Sequence, residues 1–69
     1  MTFDEMVSSL KGKTIIDPFK KEYIIENVRK WSDGRIVAYM KDSQYFAVIE
    51  ILRDKETNKY LDDLVGKIE

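Results

Sequence analysis

The residue types that carry most enzyme chemistry are missing from this sequence or stand at unsuitable spacings. It has no histidine and no cysteine, so the commonest general base, the thiolate nucleophile and the usual transition-metal ligands are absent. Its serines therefore have no histidine to activate them. Asp62 and Asp63 are adjacent on a predicted helix and point about 100° apart, so they do not share a proton as a catalytic carboxylate pair does. We expect no enzymatic activity, no metal site and no cofactor.

One short motif, Gly12-Lys13-Thr14, matches the end of a phosphate-binding loop. That loop requires a glycine five residues before Gly12, where this chain has Val7. It also follows a strand and begins a helix, whereas here a predicted helix comes before the motif and a predicted strand after it. We therefore do not expect a nucleotide site.

The composition is typical of one small globular domain. Of 69 residues, 43% are hydrophobic and 36% are charged, which differs from the composition of disordered chains, and we treat 1–69 as a single small domain. The net charge of −1 argues against a surface dominated by polyanion binding. The longest apolar runs are only a few residues, so we expect no signal peptide and no membrane span, and a cytoplasmic location.

The N-terminal element is indicated by its end residues. Thr2 and Glu5 have the spacing of a capping box, in which each side chain accepts a hydrogen bond from the other residue's backbone. An apolar stripe follows, so we predict a helix near Phe3 to Lys11. Gly12 then supplies the left-handed residue that ends many helices.

Residues 18–31 fit either a helix or a strand. Asp17 and Pro18 are suited to begin a helix. The turn signal at 32–34, directly before a strand-like run, instead favours a strand that enters a hairpin. We prefer the strand, preceded by a brief strand at 13–17.

The C-terminal half is predicted to contain two strands and a helix. Residues 35–40 and 45–52 are rich in β-branched and aromatic side chains and flank a polar turn. Asp54 is expected to cap a closing helix, whose apolar stripe consists of Tyr60, Leu61, Leu64, Val65 and Ile68. The predicted fold class is α+β: an antiparallel three- to four-stranded β-meander with a short N-terminal helix and a C-terminal helix. Partial closure into an SH3-like barrel is the variant of this fold that we consider.

The hairpin turns predict which side chains share a face of the sheet. A three-residue loop with Gly34 left-handed places Trp31 opposite Arg35 and Val28 opposite Ala38. Because side chains alternate along a strand, the predicted core face carries Ile24, Val28, Ile36, Ala38, Met40, Tyr45, Ala47, Ile49 and Ile51. The opposite face carries Ile25, Asn27, Val48 and Glu50, together with the residues that we predict to bind a partner: Arg29, Trp31, Arg35, Val37, Tyr39 and Phe46.

This second face is too apolar for the solvated side of an antiparallel sheet. It would be hidden if the sheet closed into a barrel, or if each helix covered one face. Otherwise it is exposed for a partner or for a second copy, since arginine and aromatic side chains are enriched at such interfaces. A two-residue turn at Asp33-Gly34 would move Trp31 to the core side.

A nucleic-acid partner is the alternative, because basic residues are frequent between 20 and 35. Aromatic side chains interleaved with arginines could stack bases and meet phosphates; the basic residues are Lys20, Lys21, Arg29, Lys30 and Arg35. The segment from Lys20 to Met40 resembles the small archaeal chromatin proteins, which have a basic β-meander with a surface tryptophan and a closing helix, and the resemblance implies nucleic-acid binding. The net charge of −1 and the extra N-terminal helix depart from that layout, and a lysine-rich strand edge also discourages aggregation.

These features together predict a small non-enzymatic protein-interaction module, a regulatory or inhibitory protein that binds a larger protein through the second face. A chain this small, without disulfides or metal, needs an efficient core or a second copy. We therefore expect a homodimer as well. The alternative function is a nucleic-acid-binding module that uses the same face.

Overall fold

The computed structural model describes residues 2–66 and has the predicted α+β class. A five-stranded antiparallel sheet has the order β4-β3-β2-β1-β5 and is not closed. Closure towards a barrel is therefore not observed. The helices and strands are α1 (Phe3–Leu10), β1 (Thr14–Ile16), β2 (Glu22–Lys30), β3 (Ile36–Met40), β4 (Phe46–Val48), a 3-10 helix (Ile49–Ile51), β5 (Arg53–Asp54) and α2 (Leu61–Val65).

Helix α1 has the predicted capping box. The backbone N–H of Glu5 donates to Oγ1 of Thr2, and the N–H of Thr2 donates to Oε1 of Glu5, both at 3.2 Å. The Thr2 side chain and, to a smaller degree, the Thr2 backbone N–H favour the ionised Glu5 carboxylate and so lower the pKa of Glu5. The chain leaves the helix through Gly12, whose φ is 85°.

Residues 22–30 form a strand, which confirms the preferred alternative. Asp17 begins a tight turn instead of a helix, because its Oδ1 accepts from the N–H of Phe19 at 3.0 Å and of Lys21 at 2.8 Å. Lys20 completes the turn with a φ of 65°. The turn returns the chain along β1, and Ile15 pairs with Tyr23.

The predicted register of the long hairpins is confirmed. Gly34 has a φ of 91°, and the N–H of Trp31 donates to the carbonyl of Arg35 at 2.8 Å. Val28 then faces Ala38, and Ala38 faces Ala47 on the next strand.

A β-bulge corrects the predicted core face in the first half of β2. Ile25 pairs with Met40 and Asn27 with Tyr39, so β2 advances by two residues while β3 advances by one. The extra residue reverses the alternation upstream of the bulge. Ile25 is therefore 1% exposed and Ile24 is 44% exposed, the opposite of the prediction.

The strand predicted over 45–52 ends early. Strand β4 stops at Val48, and a 3-10 helix follows. This turn directs Ile49 into the core, leaves Ile51 exposed and buries Leu52. The prediction that Ile51 lies in the core was therefore wrong.

The closing helix is shorter than predicted, and Asp54 does not cap it. Asp54 ends β5, which pairs with β1, and its Oδ2 accepts from the N–H of Thr57 at 3.2 Å and from its hydroxyl at 3.0 Å. The chain turns through Asn58, with a φ of 61°. Helix α2 then begins at Leu61 and is followed by Gly66; Ile68, predicted for its apolar stripe, lies outside the described residues.

Both helices pack against the same side of the sheet, which we call the inner face. Met6 and Leu10 of α1 and Leu61 and Val65 of α2 join one buried cluster, whose strand members are Ile15, Ile25, Val28, Ala38, Met40 and Ala47. Ile36 and Tyr45 are half-buried at its margin. Neither of the two helices within residues 2–66 has the length and apolar character needed to cross a bilayer.

Candidate protein-binding face

The six predicted site residues lie together on the other side of the sheet, which we call the outer face. They occupy three rows that run across the strands. Asn27, Tyr39 and Phe46 form one row, and Trp31 and Arg35 are paired at the hairpin end. The row between them consists of Arg29, Val37 and Val48.

Three aromatic side chains make a connected cluster on this face: Trp31, Tyr39 and Phe46. The ring centroid of Phe46 lies 5.7 Å from that of Trp31 and 5.7 Å from that of Tyr39. Nε1 of Trp31 donates to the Tyr39 hydroxyl at 2.9 Å. Such tilted ring pairs and a satisfied indole N–H hold the three side chains in one arrangement before any partner arrives.

The indole of Trp31 spans the row of the sheet that contains Val37. To reach Tyr39 from the hairpin end, it must cross the middle row, which contains Val37. Val37 is only 1% exposed, although both helices lie on the inner face. Of the six predicted site residues, Val37 is therefore buried beneath the aromatic cluster, and the side chains of the other five lie at the surface.

The aromatic cluster remains accessible to solvent. Trp31 is 37% exposed and Phe46 is 49% exposed. No helix covers them within residues 2–66, since α1 and α2 both belong to the inner cluster. No helix within residues 2–66 therefore covers the outer face. Each of its large rings packs against neighbouring side chains on one side and contacts solvent on the other.

Two arginines flank the aromatic cluster and differ in their surroundings. The guanidinium of Arg29 lies over the Tyr39 ring, 5.9 Å from its centroid, and forms no ion pair within the described part of the chain. Nε of Arg35 lies 3.1 Å from a carboxylate oxygen of Asp33. Of these two arginines, Arg29 is the one without an ion pair within residues 2–66.

The other basic residues of the 20–35 stretch are not part of the outer face. Lys20 and Lys21 lie in the turn before β2, whereas Arg29 is near its far end, roughly 25 Å away at about 3.3 Å per residue. Lys30 alternates with Arg29 and so points to the inner side of β2. The basic stretch seen in the sequence does not fold into one continuous positive surface.

Two stacked tyrosines, Tyr23 and Tyr45, pack against the margin of the core, away from the aromatic cluster of the outer face. The rings of Tyr23 and Tyr45 are 4.6 Å apart and inclined by 16°. Burial raises the pKa of the Tyr45 hydroxyl above its ordinary value of 10.0, and the charge of Asp17 adds to this effect. We interpret the pair as part of the core packing, and the Tyr45 hydroxyl is its titratable group.

A groove at the far end of the sheet was not predicted from the sequence. It has a volume of about 760 Å³ and lies between the Asp17–Lys20 turn, the 3-10 helix and Tyr60. The Arg53 guanidinium stacks over the Tyr60 ring at 4.3 Å and Nη2 donates to its hydroxyl at 3.1 Å. The β1–β5 pairing and the bridge between Arg53 and Tyr60 bring these segments together, so no local pattern signals the groove.

The outer face offers aromatic surface and an arginine, Arg29, that has no ion pair within residues 2–66. Within residues 2–66, no three acidic side chains are grouped so that they could hold a metal ion. Such a face is suited to contact with another macromolecule. Comparisons of the chain with protein-family models, with curated proteins and with solved structures found no match.

Proposed function

We propose that this chain is a small non-enzymatic protein-interaction module, a regulatory or inhibitory protein that binds a larger protein through its outer face. The observation that carries the proposal is the open cluster of Trp31, Tyr39 and Phe46, which two core helices leave uncovered. Binding hot spots are enriched in tryptophan, tyrosine and arginine. Side chains already held by one another lose little conformational entropy when a partner covers them.

The charge distribution favours a protein over a nucleic acid. Affinity for nucleic acids depends chiefly on several cations that contact phosphates together. Beside the aromatic cluster, Asp33 neutralises Arg35. Arg29 and Lys11 form no ion pair within residues 2–66, and they line one shallow groove together with the acidic Glu26. A protein surface with an acidic group beside an apolar patch would match this arrangement.

The test compares two double variants with the wild-type chain as bait in an extract of the native host, treated with nuclease. Phe46→Ser with Arg29→Ser removes exposed parts of the outer face. Phe19→Ser with Lys21→Ser is the matched control, since it removes one phenylalanine and one cation from the turn at the other end, where Phe19 is 87% exposed.

We expect the first variant to lose a bound protein by about 30-fold or more in affinity, as truncation of hot-spot residues does. The control should retain that protein, and both variants should unfold cooperatively. Equal retention by the two variants would contradict the proposal. Binding that is seen only in a parallel extract without nuclease, and that falls steeply with salt, would support the nucleic-acid alternative instead.

The cytoplasmic location expected from the sequence stays a prediction. Fractionation of host cells, with detection by an antibody against the chain, would test it.

A further inference from the structure

Strand β2 extends beyond the end of β3 and leaves a gap in the sheet beside residues 22–24, which we call the notch. Strand β3 ends at Met40, which pairs with Ile25. The next residue, Lys41, donates its N–H to the carbonyl of Ile24 at 2.8 Å, and the chain then turns towards β4. Residues 22–24 therefore pair with β1 on one side and have no strand on the other.

Three main-chain groups of β2 point into the notch without a partner. The N–H of Ile25 donates to the carbonyl of Lys13 at 3.0 Å, which makes these two residues a hydrogen-bonded pair. Such pairs alternate along an antiparallel ladder, so Tyr23 turns its groups towards β1, whereas Glu22 and Ile24 turn theirs towards the notch. Lys41 uses the carbonyl of Ile24. Within residues 2–66, the N–H and C=O of Glu22 and the N–H of Ile24 form no hydrogen bond.

The groove at the notch has an excess of positive charge. Its volume is about 570 Å³, and its charged side chains are Lys21, Lys41, Lys55, Glu22 and Asp42. Lys55 and Glu22 form an ion pair at 2.7 Å and offset each other. Lys21 and Lys41 form no ion pair within residues 2–66. Two free ammonium groups and one carboxylate, that of Asp42, are left to interact with a ligand.

We propose that the notch binds the free C-terminus of a partner protein, as an extended segment that runs parallel to β2. In a parallel pair, one residue of the added strand donates its N–H to the carbonyl of Glu22 and accepts at its own carbonyl from the N–H of Ile24. This residue is the last that fits, because Lys41 already occupies the next position. A terminal carboxylate at this point accepts from the N–H of Ile24 and lies beside Lys41. Backbone capture of a terminal carboxylate is an established mode of peptide recognition.

Charge complementarity favours this occupant over the alternatives. An antiparallel segment would bring its N-terminal ammonium group to Lys41, and two cations would then meet. A segment that continues past Ile24 in either direction is blocked by Lys41. A phosphate group has acceptors alone, so it does not use the free carbonyl of Glu22. A C-terminal residue supplies the donor for Glu22 and a negative charge for the lysines, and hydrogen bonds to charged groups are the stronger ones.

A pair of tyrosine rings limits the last side chain of the partner. Tyr45 is bonded to Met40, and its ring stacks on that of Tyr23 at 4.6 Å. The stack therefore crosses the line of β3 on the inner side of the notch. A residue opposite Tyr23 directs its side chain to the same side of the sheet. We expect a small C-terminal residue, such as alanine.

The test uses two N-acetylated tetrapeptides of the sequence Ser-Thr-Val-Ala, one with a free C-terminal carboxylate and one with a C-terminal amide. Each is titrated into the isotope-labelled chain at constant pH and ionic strength, and the backbone amide shifts are followed by NMR. Because the paired segment is short, we expect a Kd on the order of 1 mM for the carboxylate peptide, with the largest shifts at Glu22 and Ile24. The amide peptide lacks the charged acceptor and should bind about tenfold more weakly.

Two lysine variants locate the site. Lys41→Gln should weaken binding of the carboxylate peptide about threefold, as loss of an exposed ion pair does. Lys30→Gln is the matched control at the far end of β2, where Lys30 is exposed, and should bind as the wild type does. Both substitutions are at exposed residues and keep the backbone groups, so the fold should persist.

Four results would overturn the proposal. They are the absence of saturable shifts at Glu22 and Ile24, equal binding of the two peptides, equal Kd values for the two variants, and binding of acetate or inorganic phosphate at the notch as tightly as the carboxylate peptide. The last result would mean that the notch is a simple anion site. None of these measurements involves the aromatic cluster, so their outcome is independent of the proposed function.

Discussion

Replacement of Trp31 by alanine measures how firmly the outer face is built. A fully covered aromatic side chain buries roughly 150–250 Å², and Trp31 is 37% exposed, so roughly 95–160 Å² is covered. At about 25 cal/mol per Å², this burial corresponds to roughly 2.4–4.0 kcal/mol. The partial compactness of the unfolded chain lowers such values by roughly 10–40%. We therefore expect Trp31→Ala to reduce the free energy of unfolding by about 2–3 kcal/mol.

The assay is equilibrium unfolding in urea, followed by far-ultraviolet circular dichroism, because the variant lacks the only tryptophan. Arg35→Ala is the control, since its ion pair with Asp33 is exposed and contributes about 0–1 kcal/mol. Trp31→Ala should also expose Val37, which would appear as faster amide exchange of the central β3 residues. A loss below about 0.5 kcal/mol would show that Trp31 does not cover Val37, and the geometry of the aromatic cluster would then be wrong.

Three further predictions concern the core and the buried residues around it. Ile49→Ala should lower the free energy of unfolding by about 2–4 kcal/mol because Ile49 is 1% exposed, and Ile36→Ala should lower it by less because Ile36 is half-buried. Thermal unfolding of both variants measures this order. A larger effect of Ile36→Ala would mean that the register is inverted. Asp54→Ala removes the acceptor of both Thr57 donors, so it should lower the free energy of unfolding, measured by urea titration, by about 1–3 kcal/mol. An unchanged value would mean that the carboxylate does not hold this turn. Because the pKa of Tyr45 is raised in the folded chain, the unfolded chain loses this proton first, and the stability of the fold should fall as the pH rises above 10.0. The stability of the Tyr45→Phe variant should fall less steeply with pH. Equal slopes for the two chains would exclude Tyr45 as the cause.

Local chemistry made much of the fold predictable. The capping box of Thr2 and Glu5 and the hairpin loop with Gly34 depend on residues within three or four positions, and the structure has both. The register of β2, β3 and β4 follows from that loop and from the next turn. The outer face was predictable for the same reason, because all six of its predicted residues lie beyond the bulge.

The features that were missed depend on contacts between distant segments. The bulge at Glu26 reverses Ile24 and Ile25, and nothing in the local pattern of alternating residues marks it. Strand β5 forms because Arg53 pairs with Ile16, which no periodicity near residue 53 indicates. The exposure of the outer face to solvent could not be predicted either, because it depends on both helices packing against the inner face.

The central claim is that the outer face itself contacts a protein, and photo-crosslinking from position 46 tests it most directly. A chain with a photoreactive benzoyl-phenylalanine in place of Phe46 is irradiated in nuclease-treated host extract, beside a chain with the same group in place of Phe19, at the far turn. The proposed function predicts a covalent adduct with a distinct host protein from position 46 and little or none from position 19. Equal adducts from both positions, or adducts from position 46 that contain only a second copy of the chain, would contradict it.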